Sequence, residues 1–307
     1  LADSVRSNLD MLAEAAAHLA NAGGKRVRPG FAIAAAATGH SSARPAYSGV
    51  LMGGVAVELV HLCSLYHDDV MDEATTRRGV LAANQRWGNA VAILTGDFLL
   101  AQSSIIAADL GTDVARLLGE TIAELTDGQI RELQDTDNFD RTAEDYYAAI
   151  SGKTASLLAC ACRIGSITGQ LDQPTTEALT EFGHSYGMAF QIVDDILDVV
   201  ATSEQLGKPA GNDILEGNLT LPVLRALRSE NGDQLRSLIE AGLTAETRDQ
   251  ALILVRTSPG IADALAAARS WADKASGAIS NLPDSPGATA LQAAATHLVE
   301  RARAPLE

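Results

Sequence analysis

Apolar residues recur at helical spacing along almost the whole chain. In one early segment Leu51, Val55, Leu59 and Leu62 share a face, and similar faces recur later. Alternating strand-like patterns are nearly absent. Gly, Pro, Asn and Asp cluster at breaks, which lie at 21–30, 38–46, 109–113, 135–141, 169–175, 202–218 and 229–233. The pattern predicts an all-α bundle of roughly ten to twelve helices joined by short loops.

No linker rich in Pro, Gly or Ser divides the chain, and no repeat of fixed period is present. We therefore predict one domain that spans residues 1–307. Thr142-Ala-Glu-Asp145 matches a capping box and predicts a helix start, as does the segment Thr175-Thr-Glu-Ala.

Composition narrows the class of protein. The chain is 47% hydrophobic and 20% charged, with only 4% aromatic residues and abundant alanine, which favours a folded helical protein. Its formal net charge of −16 disfavours nucleic acids and anionic lipid headgroups as partners. No uninterrupted apolar run approaches the ~20 residues of a membrane span, and the first residues lack a signal-peptide pattern. We therefore expect a cytoplasmic protein without a transmembrane segment.

The three cysteines do not predict a disulfide framework or a zinc site, because they are few and badly spaced. They are Cys63, Cys160 and Cys162. The last two lie in an apolar, helix-like stretch, where they are predicted to be small buried residues. A reducing compartment is expected.

Two D-D-x-x-D clusters are the strongest chemical signal in the chain. They consist of Asp68, Asp69 and Asp72, and of Asp194, Asp195 and Asp198. On a helix, residues i and i+4 share a face, where like charges repel unless something offsets them. Hard oxygen ligands of this kind suit Mg²⁺ bound together with substrate phosphates. One such cluster could equally be a solvated helix face, but two copies among Leu, Ile and Val favour metal binding across a cleft.

Basic residues gather beside glycines and near both clusters, although the protein is acidic overall. They are Lys25, Arg26 and Arg28 after Gly23-Gly24, Arg77 and Arg78, Lys153 in Ser151-Gly-Lys-Thr154, and Lys208 in Gly207-Lys-Pro209. Such cations at helix starts are typical phosphate receptors. Each alone is most simply a surface cation, but the four groups together predict anion binding.

The chain resembles the trans-type polyprenyl diphosphate synthases, which are head-to-tail prenyltransferases. The resemblance rests on ordered segments between residue 23 and about residue 222: G-G-K-R-V-R-P at 23–29, H-L-C-S-L-Y-H-D-D-V-M-D at 61–72, R-R-G at 77–79, G-D-F at 96–98, G-K-T-A at 152–155, F-Q-I-V-D-D-I-L-D at 190–198 and G-K-P-A-G-N-D at 207–213. It implies an all-α bundle around a deep central cavity, usually a homodimer, with up to three Mg²⁺ ions.

The resemblance also implies roles for individual residues. Asp68 and Asp72 resemble the ligands of two Mg²⁺ ions, and Asp194 resembles the ligand of a third. The remaining acids of the two clusters support them: Asp69, Asp195 and Asp198. The allylic diphosphate is matched by Arg77, Lys153, Gln191 and Lys208, with Thr154 near the reacting carbons. Isopentenyl diphosphate is matched by Lys25, Arg28, His61 and Arg78. One departure is Asn218, where many members carry Lys after Glu-Gly.

The implied reaction begins with ionisation of the allylic C–O bond as Mg²⁺ and basic residues stabilise the departing diphosphate. Isopentenyl diphosphate then attacks the carbocation and loses a proton. The residues predicted to carry catalysis are Asp68, Asp72, Asp194, Lys153 and Arg77.

Product length is predicted from the helix before Asp68. Ser64 lies one turn before Asp68, Cys63 is beside it, and Val60 lies a further turn away. In short-chain relatives aromatic residues close the cavity at the positions of Cys63 or Ser64, whereas here both are small. We therefore predict products of C30 to C50. The alternatives are a C15 to C20 synthase and a floor elsewhere, such as the helix from Phe98 to Ile106.

Three other classes compete with this interpretation. A terpene cyclase also uses Asp-rich clusters but needs no second phosphate site, so Lys25, Arg28 and Arg78 count against it. A non-catalytic subunit of a heteromeric synthase would tolerate decay of the Asp clusters, which are intact. A helical scaffold explains the amphipathic faces but not the clustered charges.

Overall fold

The structure, a computed structural model, describes residues 1–40, 47–201 and 210–303. Its α-helices are α1 Asp10–Asn21, α2 Val27–Ala37, α3 Ser48–Met71, α4 Ala83–Trp87, α5 Asn89–Leu110, α6 Thr112–Gln134, α7 Ala143–Ile150, α8 Ser156–Thr168, α9 Gln173–Val200, α10 Asn212–Leu215, α11 Leu221–Leu227, α12 Gly232–Glu240, α13 Ala245–Thr257, α14 Gly260–Ala278 and α15 Pro286–Arg303. A 3₁₀ turn covers Asp3–Val5 and a π-helical turn covers Ser151–Ala155. Strands β1 Thr76–Arg77 and β2 Val80–Leu81 form one small hairpin. The predicted all-α class is confirmed.

The two predicted capping boxes have different outcomes. The box at the start of α7 is confirmed, since the Thr142 hydroxyl accepts from the Asp145 N–H at 3.1 Å and the Asp145 carboxylate accepts from the Thr142 N–H at 3.0 Å. The box at Thr175 is wrong. Helix α9 begins earlier, at Gln173, and the Asp172 carboxylate caps it by accepting from the Thr175 N–H at 2.9 Å. An Asp at this position is as good an N-cap as a Thr.

The first of two compact units contains residues 1–122, 160–180 and 282–288. Helix α3 packs along α5 and also against α2. The core of this unit is apolar, with fully buried Leu59, Leu62, Tyr66 and Leu99. The Tyr66 hydroxyl is satisfied there by the carbonyl of Ala15 on α1. This packing fixes the C-terminal end of α3, which carries the first carboxylate cluster.

The second unit contains residues 123–159, 181–281 and 289–307, of which the structure describes the part up to residue 303. Within it α11 packs against α14, and α13 packs against α12. Four of the five boundaries between the units fall inside the helices α6, α8, α9 and α15, and the fifth, at residues 281 and 282, lies between α14 and α15. The single domain of residues 1–307 stays a prediction.

Two helices of the described chain are long and apolar enough to cross a membrane, by length and composition. They are α3 and α5, each with a mean hydropathy of 1.6 over 18 residues, and the bent pair Glu246–Thr257 with Gly260–Ala278 also passes if it is one span. The absence of a transmembrane segment therefore stays a prediction, which these two helices leave open. That prediction considered only uninterrupted apolar runs, whereas these helices contain small and polar residues and still have a high mean hydropathy.

Candidate active site

The first carboxylate cluster lies at the C-terminal end of α3. Asp72 caps the helix, and its N–H donates to the Asp68 carbonyl at 2.8 Å. Asp68 is partly exposed and the side chain of Asp72 is 37% exposed, whereas Asp69 is fully buried. The cluster therefore separates into two accessible carboxylates one turn apart and one that belongs to the core of the first unit.

Asp69 binds Arg77 of the hairpin. The Arg77 Nε donates to Asp69 Oδ1 at 2.6 Å, and an Arg77 terminal nitrogen lies 3.9 Å from Asp72 Oδ2. The other oxygen of Asp69, Oδ2, is buried without a hydrogen-bond partner among the described residues. Because Asp69 is hydrogen-bonded to Arg77, its main effect in this structure is to orient the guanidinium along the first carboxylate cluster.

The hairpin that carries Arg77 turns through Arg78 and Gly79. Arg77 pairs with Val80 across the hairpin, and both turn residues have positive φ, +53° and +76°. This is the pattern of a two-residue type I′ turn, which requires left-handed backbone at both positions. Gly79 accepts that geometry readily, while Arg78 does so at a conformational cost. The arginine is held in a strained position.

Arg78 is fixed by carbonyls and by His61. Its Nη1 donates to the carbonyls of Leu19 at 3.1 Å and Gly23 at 2.8 Å, and its Nη2 lies 3.4 Å from His61 Nε2. Burial, with Arg28 and Arg78 adding to it, lowers the pKa of His61 well below its usual value. His61 is therefore neutral at physiological pH and orients Arg78 as an acceptor.

The glycine-rich junction before α2 carries the other cations of the first unit that are predicted to bind anions. Gly24 has a φ of +129°, and a Cβ there would lie 3.0 Å from the Arg78 guanidinium carbon, so only glycine lets the two approach. Lys25 is exposed and Arg28 is partly buried. Arg26 differs from both, because it pairs with buried Glu58 and donates to the Ala20 carbonyl. Arg26 is thus held by two protein partners, and its predicted place in the anion-binding group stays a prediction.

The three predicted chain-length residues have different environments. Cys63 and Val60 are buried in the first unit, and the Cys63 thiol lies 3.8 Å from His67 Nδ1. Burial raises the pKa of Cys63 to about 12, so the thiol stays protonated. Ser64 is partly exposed and donates to the His61 carbonyl at 2.9 Å. Since Val60, Ser64 and Asp68 are spaced by four, they share one face of α3.

In the second unit Lys153 and Thr154 lie on the π-helical turn, which joins α7 to α8 without a break. The prediction that this segment opens a helix is therefore wrong. Such turns recur at functional sites because they displace side chains from regular helical register. The turn packs backbone to backbone on α6, where a Cβ at Gly128 would lie 2.7 Å from the Ala149 carbonyl oxygen.

Helix α9 approaches the same turn through glycine. A Cβ at Gly187 would lie 2.5 Å from the Ala155 Cα. Gly187, Gln191 and Asp195 are spaced by four and so lie on one face of α9. The close contact at Gly187 brings the polar side chains further along that face to the π-helical turn.

Thr154, Gln191, Asp195 and Tyr146 form a continuous hydrogen-bonded relay. Thr154 Oγ1 donates to Gln191 Oε1 at 2.8 Å, Gln191 Nε2 donates to Asp195 Oδ1 at 2.8 Å, and the Tyr146 hydroxyl donates to Asp195 Oδ2 at 2.5 Å. Burial raises the pKa of Asp195 to about 7, against the lowering effect of the hydrogen bonds from Tyr146 and Gln191. Asp195 is 3% exposed, so its carboxylate contacts protein groups rather than solvent.

The other predicted groups of the second unit have partners as well. Lys153 pairs with Glu132 of α6. Asp194 is 40% exposed and lies 3.2 Å from Arg301 of α15. Asp198 is buried, and its carboxylate accepts from the Asp213 N–H at 3.2 Å. Lys208 lies outside the described residues.

Asn218, the departure from the family pattern, binds a buried arginine. Its side-chain oxygen accepts from Arg141 Nη1 at 3.0 Å, and Arg141 also donates to the Leu219 carbonyl at 3.1 Å. Arg141 is 1% exposed and lies 5.6 Å above the Tyr146 ring centroid. A lysine here would place a second cation against a buried guanidinium, so asparagine suits its surroundings.

The accessible carboxylates of each unit fit a hard divalent cation that binds together with a substrate. They are Asp68 and Asp72 in the first unit and Asp194 in the second, and Mg²⁺ usually takes one or two carboxylates plus water and phosphate oxygens. Among the residues that the structure describes, no three His, Cys, Asp or Glu side chains form a ready metal cage. The metal roles of all six aspartates stay predictions.

Sequence reasoning missed the residues that hold the site groups in place. They are Glu58, Glu132, Arg141, Tyr146 and Arg301. Most are far along the chain from their partners, so no local motif marks them. Glu132 carries one signal, since it follows Gly128 by one helical turn on the face of α6 that meets Lys153.

These features define a helical enzyme with two carboxylate clusters and with cationic side chains that carboxylates and backbone carbonyls hold in place. A family model described as polyprenyl synthetase matches residues 9–254. The chain therefore belongs to the polyprenyl synthetase family, and it is a prenyl diphosphate synthase, a prenyltransferase.

Two curated relatives match nearly the whole chain. One is a nonaprenyl diphosphate synthase of Mycobacterium tuberculosis, 41% identical over 95% of this chain and 87% of the relative. The other is a heptaprenyl diphosphate synthase component 2 of Geobacillus stearothermophilus, 40% identical over 91% of this chain and 87% of the relative.

Solved structures show the same fold. A heptaprenyl diphosphate synthase from Staphylococcus aureus has a TM-score of 0.90 and 33% identity, and the match covers 97% of this chain and 94% of that one. A geranylgeranyl pyrophosphate synthase from Corynebacterium glutamicum, complexed with calcium and isoprenyl diphosphate, has a TM-score of 0.82 and 40% identity, with 97% and 91% covered. The predicted family and fold class are confirmed.

Proposed function

We propose that this enzyme is a long-chain synthase that extends an allylic diphosphate with isopentenyl diphosphate to C30–C50 products. The observation that carries the length is Ser64, a small and partly exposed residue one turn before Asp68 on the same face of α3. The names of the nonaprenyl and heptaprenyl relatives support it. The geranylgeranyl neighbour keeps a C20 product as the competing possibility.

The carboxylates bind the metal and the cations bind diphosphate. Asp68 and Asp72 of the first unit and Asp194 of the second are the proposed Mg²⁺ ligands, up to three ions in all. Bound Mg²⁺ would supply positive charge to the diphosphate as the allylic C–O bond breaks. Asp69 orients Arg77, and Asp195 holds Gln191.

The chain's own groups position the two substrates. Arg77, Lys153, Gln191 and Lys208 are the proposed partners of the allylic diphosphate. Arg78, Lys25 and Arg28 bind isopentenyl diphosphate, with His61 orienting Arg78. When the allylic diphosphate binds, Lys153 exchanges its partner Glu132 for a phosphate oxygen, because the diphosphate carries more negative charge than a carboxylate. The Thr154 oxygen then lies near the forming cation, where a fixed dipole stabilises positive charge.

A product-length assay tests this proposal. The purified full chain is incubated with Mg²⁺, isopentenyl diphosphate and, separately, C10, C15 and C20 allylic primers, and the products are resolved by mass spectrometry. Products of C30 or longer support the long-chain proposal, while products that stop at C15 or C20 overturn it and leave the enzyme class intact. Elongation that appears only with a second protein would instead assign the chain to a heteromeric synthase, as the component 2 relative suggests.

Ser64→Phe is expected to shorten the product by several isoprene units. A phenyl ring one turn before Asp68 fills the face of α3 along which the tail is proposed to grow, and each turn spans about 5.4 Å. Ser237→Phe is the matched control, because Ser237 is an exposed helical serine far along the chain from Ser64 that also donates to its own helix, at 2.8 Å. An unchanged product distribution in Ser64→Phe would locate the floor elsewhere.

A homodimer is the proposed assembly, and light scattering of the purified chain measures it directly. A mass near twice 32.0 kDa is expected. A monomer that elongates primers would contradict the dimer but not the activity.

A further inference from the structure

We propose that Tyr146 is a positioning residue for the transfer reaction. By holding Asp195, it fixes the Gln191 amide and, through that amide, the orientation of the Thr154 hydroxyl. The inference rests on the proposed function in one respect, the placement of Thr154 near the reacting carbons. Tyr146 is no part of the predicted machinery, and it is buried at the inner end of the relay.

The end of the relay that Tyr146 and Asp195 form is buried away from water. Tyr146 is 1% exposed and Asp195 is 3% exposed. The Tyr146 ring is held on one side by the Arg141 guanidinium, 5.6 Å from its centroid, and by Tyr147, whose ring centroid lies 5.6 Å away. The capping box at Thr142 fixes the first turn of α7, in which Tyr146 lies. The hydroxyl therefore has one well-defined partner, Asp195 Oδ2.

The direction of the relay follows from its donors and acceptors. The Tyr146 hydroxyl donates to Asp195 Oδ2, and the Gln191 NH₂ group donates to Asp195 Oδ1. The amide oxygen of Gln191 consequently faces Thr154 and accepts the hydroxyl proton.

Thr154 can therefore offer only oxygen lone pairs to any other neighbour, because its single proton is engaged. Lone pairs stabilise a developing carbocation, whereas an O–H aimed at it would oppose the reaction. Burial and the neighbouring Asp195 raise the pKa of Tyr146 well above its usual value, so the tyrosine keeps its proton and remains a donor. Without that donor, Asp195 Oδ2 loses its hydrogen bond, the carboxylate can rotate, and the Gln191 amide and the Thr154 hydroxyl are no longer fixed.

Tyr146→Phe tests the inference because it removes one hydroxyl and keeps the ring. We expect kcat to fall on the order of tenfold to a hundredfold, the usual effect of losing a supporting hydrogen bond at a catalytic group, while KM for both substrates stays within about twofold. Tyr147→Phe is the matched control and should keep the wild-type kcat, since Tyr147 makes ring contacts with Tyr146 and Trp271 only at the edge of the relay.

A double-mutant cycle separates positioning from a structural effect. In a Thr154→Ala background, Tyr146→Phe should change kcat by less than about twofold, because the outer end of the relay is already gone. Two losses that multiply would overturn the inference, as would a raised KM with unchanged kcat. If Thr154→Ala alone leaves kcat unchanged, the proposed placement of Thr154 fails, and the inference fails with it, independently of product length.

Circular dichroism and thermal unfolding establish that each variant is folded. If Tyr146→Phe does not fold, Asp195→Asn replaces it, because an amide at 195 can donate to Gln191 and reverse the relay. The expected result is a lower kcat with unchanged Mg²⁺ affinity, measured by calorimetry with inorganic diphosphate. A wild-type kcat, or a loss of Mg²⁺ affinity that accounts for the change, would overturn the inference.

Discussion

Asp68→Ala is expected to lower turnover on the order of a thousandfold while the protein stays folded. Asp68 is an accessible carboxylate one turn from Asp72, and its loss removes a proposed metal ligand without opening a cavity in the core. Relief of the like-charge pair favours the helix slightly. Asp194→Ala should have an effect of the same size, since Asp194 is the accessible acid of the second cluster. Steady-state turnover of isopentenyl diphosphate measures both.

Asp109→Ala is the matched control for these two variants. Asp109 is an exposed acid near the C-terminal end of α5 and should retain wild-type turnover. Calorimetric titration of Mg²⁺ in the presence of inorganic diphosphate gives a second measurement that does not depend on turnover. Chelation of divalent ions should abolish the wild-type activity, and added Mg²⁺ should restore it. Near-normal turnover in either Asp variant would contradict the proposed ligand assignment, although the family membership would stand.

Gly128→Ala is expected to destabilise the protein by about 3 kcal/mol, at the upper end of the usual cost of overpacking. The added methyl group would meet rigid backbone of the π-helical turn, at the Lys153 amide nitrogen and at the Gly152 carbonyl carbon at 2.8 Å, and of the end of α7, at the Ala149 oxygen at 2.7 Å. Backbone atoms in a packed turn cannot move aside as the end of a side chain can. Because that turn carries Lys153 and Thr154, turnover should fall together with stability.

Gly119→Ala on the same helix gives a matched control for Gly128. Nothing lies within 4 Å of a Cβ at Gly119, so alanine there should stabilise α6 by up to about 1 kcal/mol. Thermal unfolding should therefore move in opposite directions for the two variants, down by roughly 5 to 10 °C at Gly128 and unchanged or slightly up at Gly119. Equal unfolding temperatures would show that α6 moves freely away from the turn.

Local sequence information was enough to predict the helices and which acids of each motif share a helix face. Helical periodicity predicts α3 and α9, and the four-residue spacing within each D-D-x-x-D motif predicts that its first and last acids share a face. The capping box at Thr142 was also found, because a cap is read from four consecutive residues. What the motif could not show is that the middle acids, Asp69 and Asp195, and also the last acid of the second motif, Asp198, are buried and bound to protein partners.

The undetected part of the site depends on contacts between distant segments. Tyr146 and Asp195 are 49 residues apart, and Arg26 and Glu58 are 32 apart. In the sequence Tyr146 fits an apolar helical face and Glu58 an ordinary acidic position. The π-helical turn was missed for a related reason: Gly152 beside Lys153 resembles a loop, and only the glycine opposite it on α6 shows that the segment is a close helical contact.

The hairpin between α3 and α4 carries two arginines on adjacent residues, and each arginine has different partners. Arg77 faces the carboxylates at the end of α3, and Arg78, the next residue, faces His61 and the glycine-rich junction. Their Cα atoms are therefore about 3.8 Å apart whatever the helices do. Packed helices can slide against each other, but a covalent link cannot lengthen. The spacing of these two backbone positions is consequently constant, and any movement of the hairpin carries both arginines together.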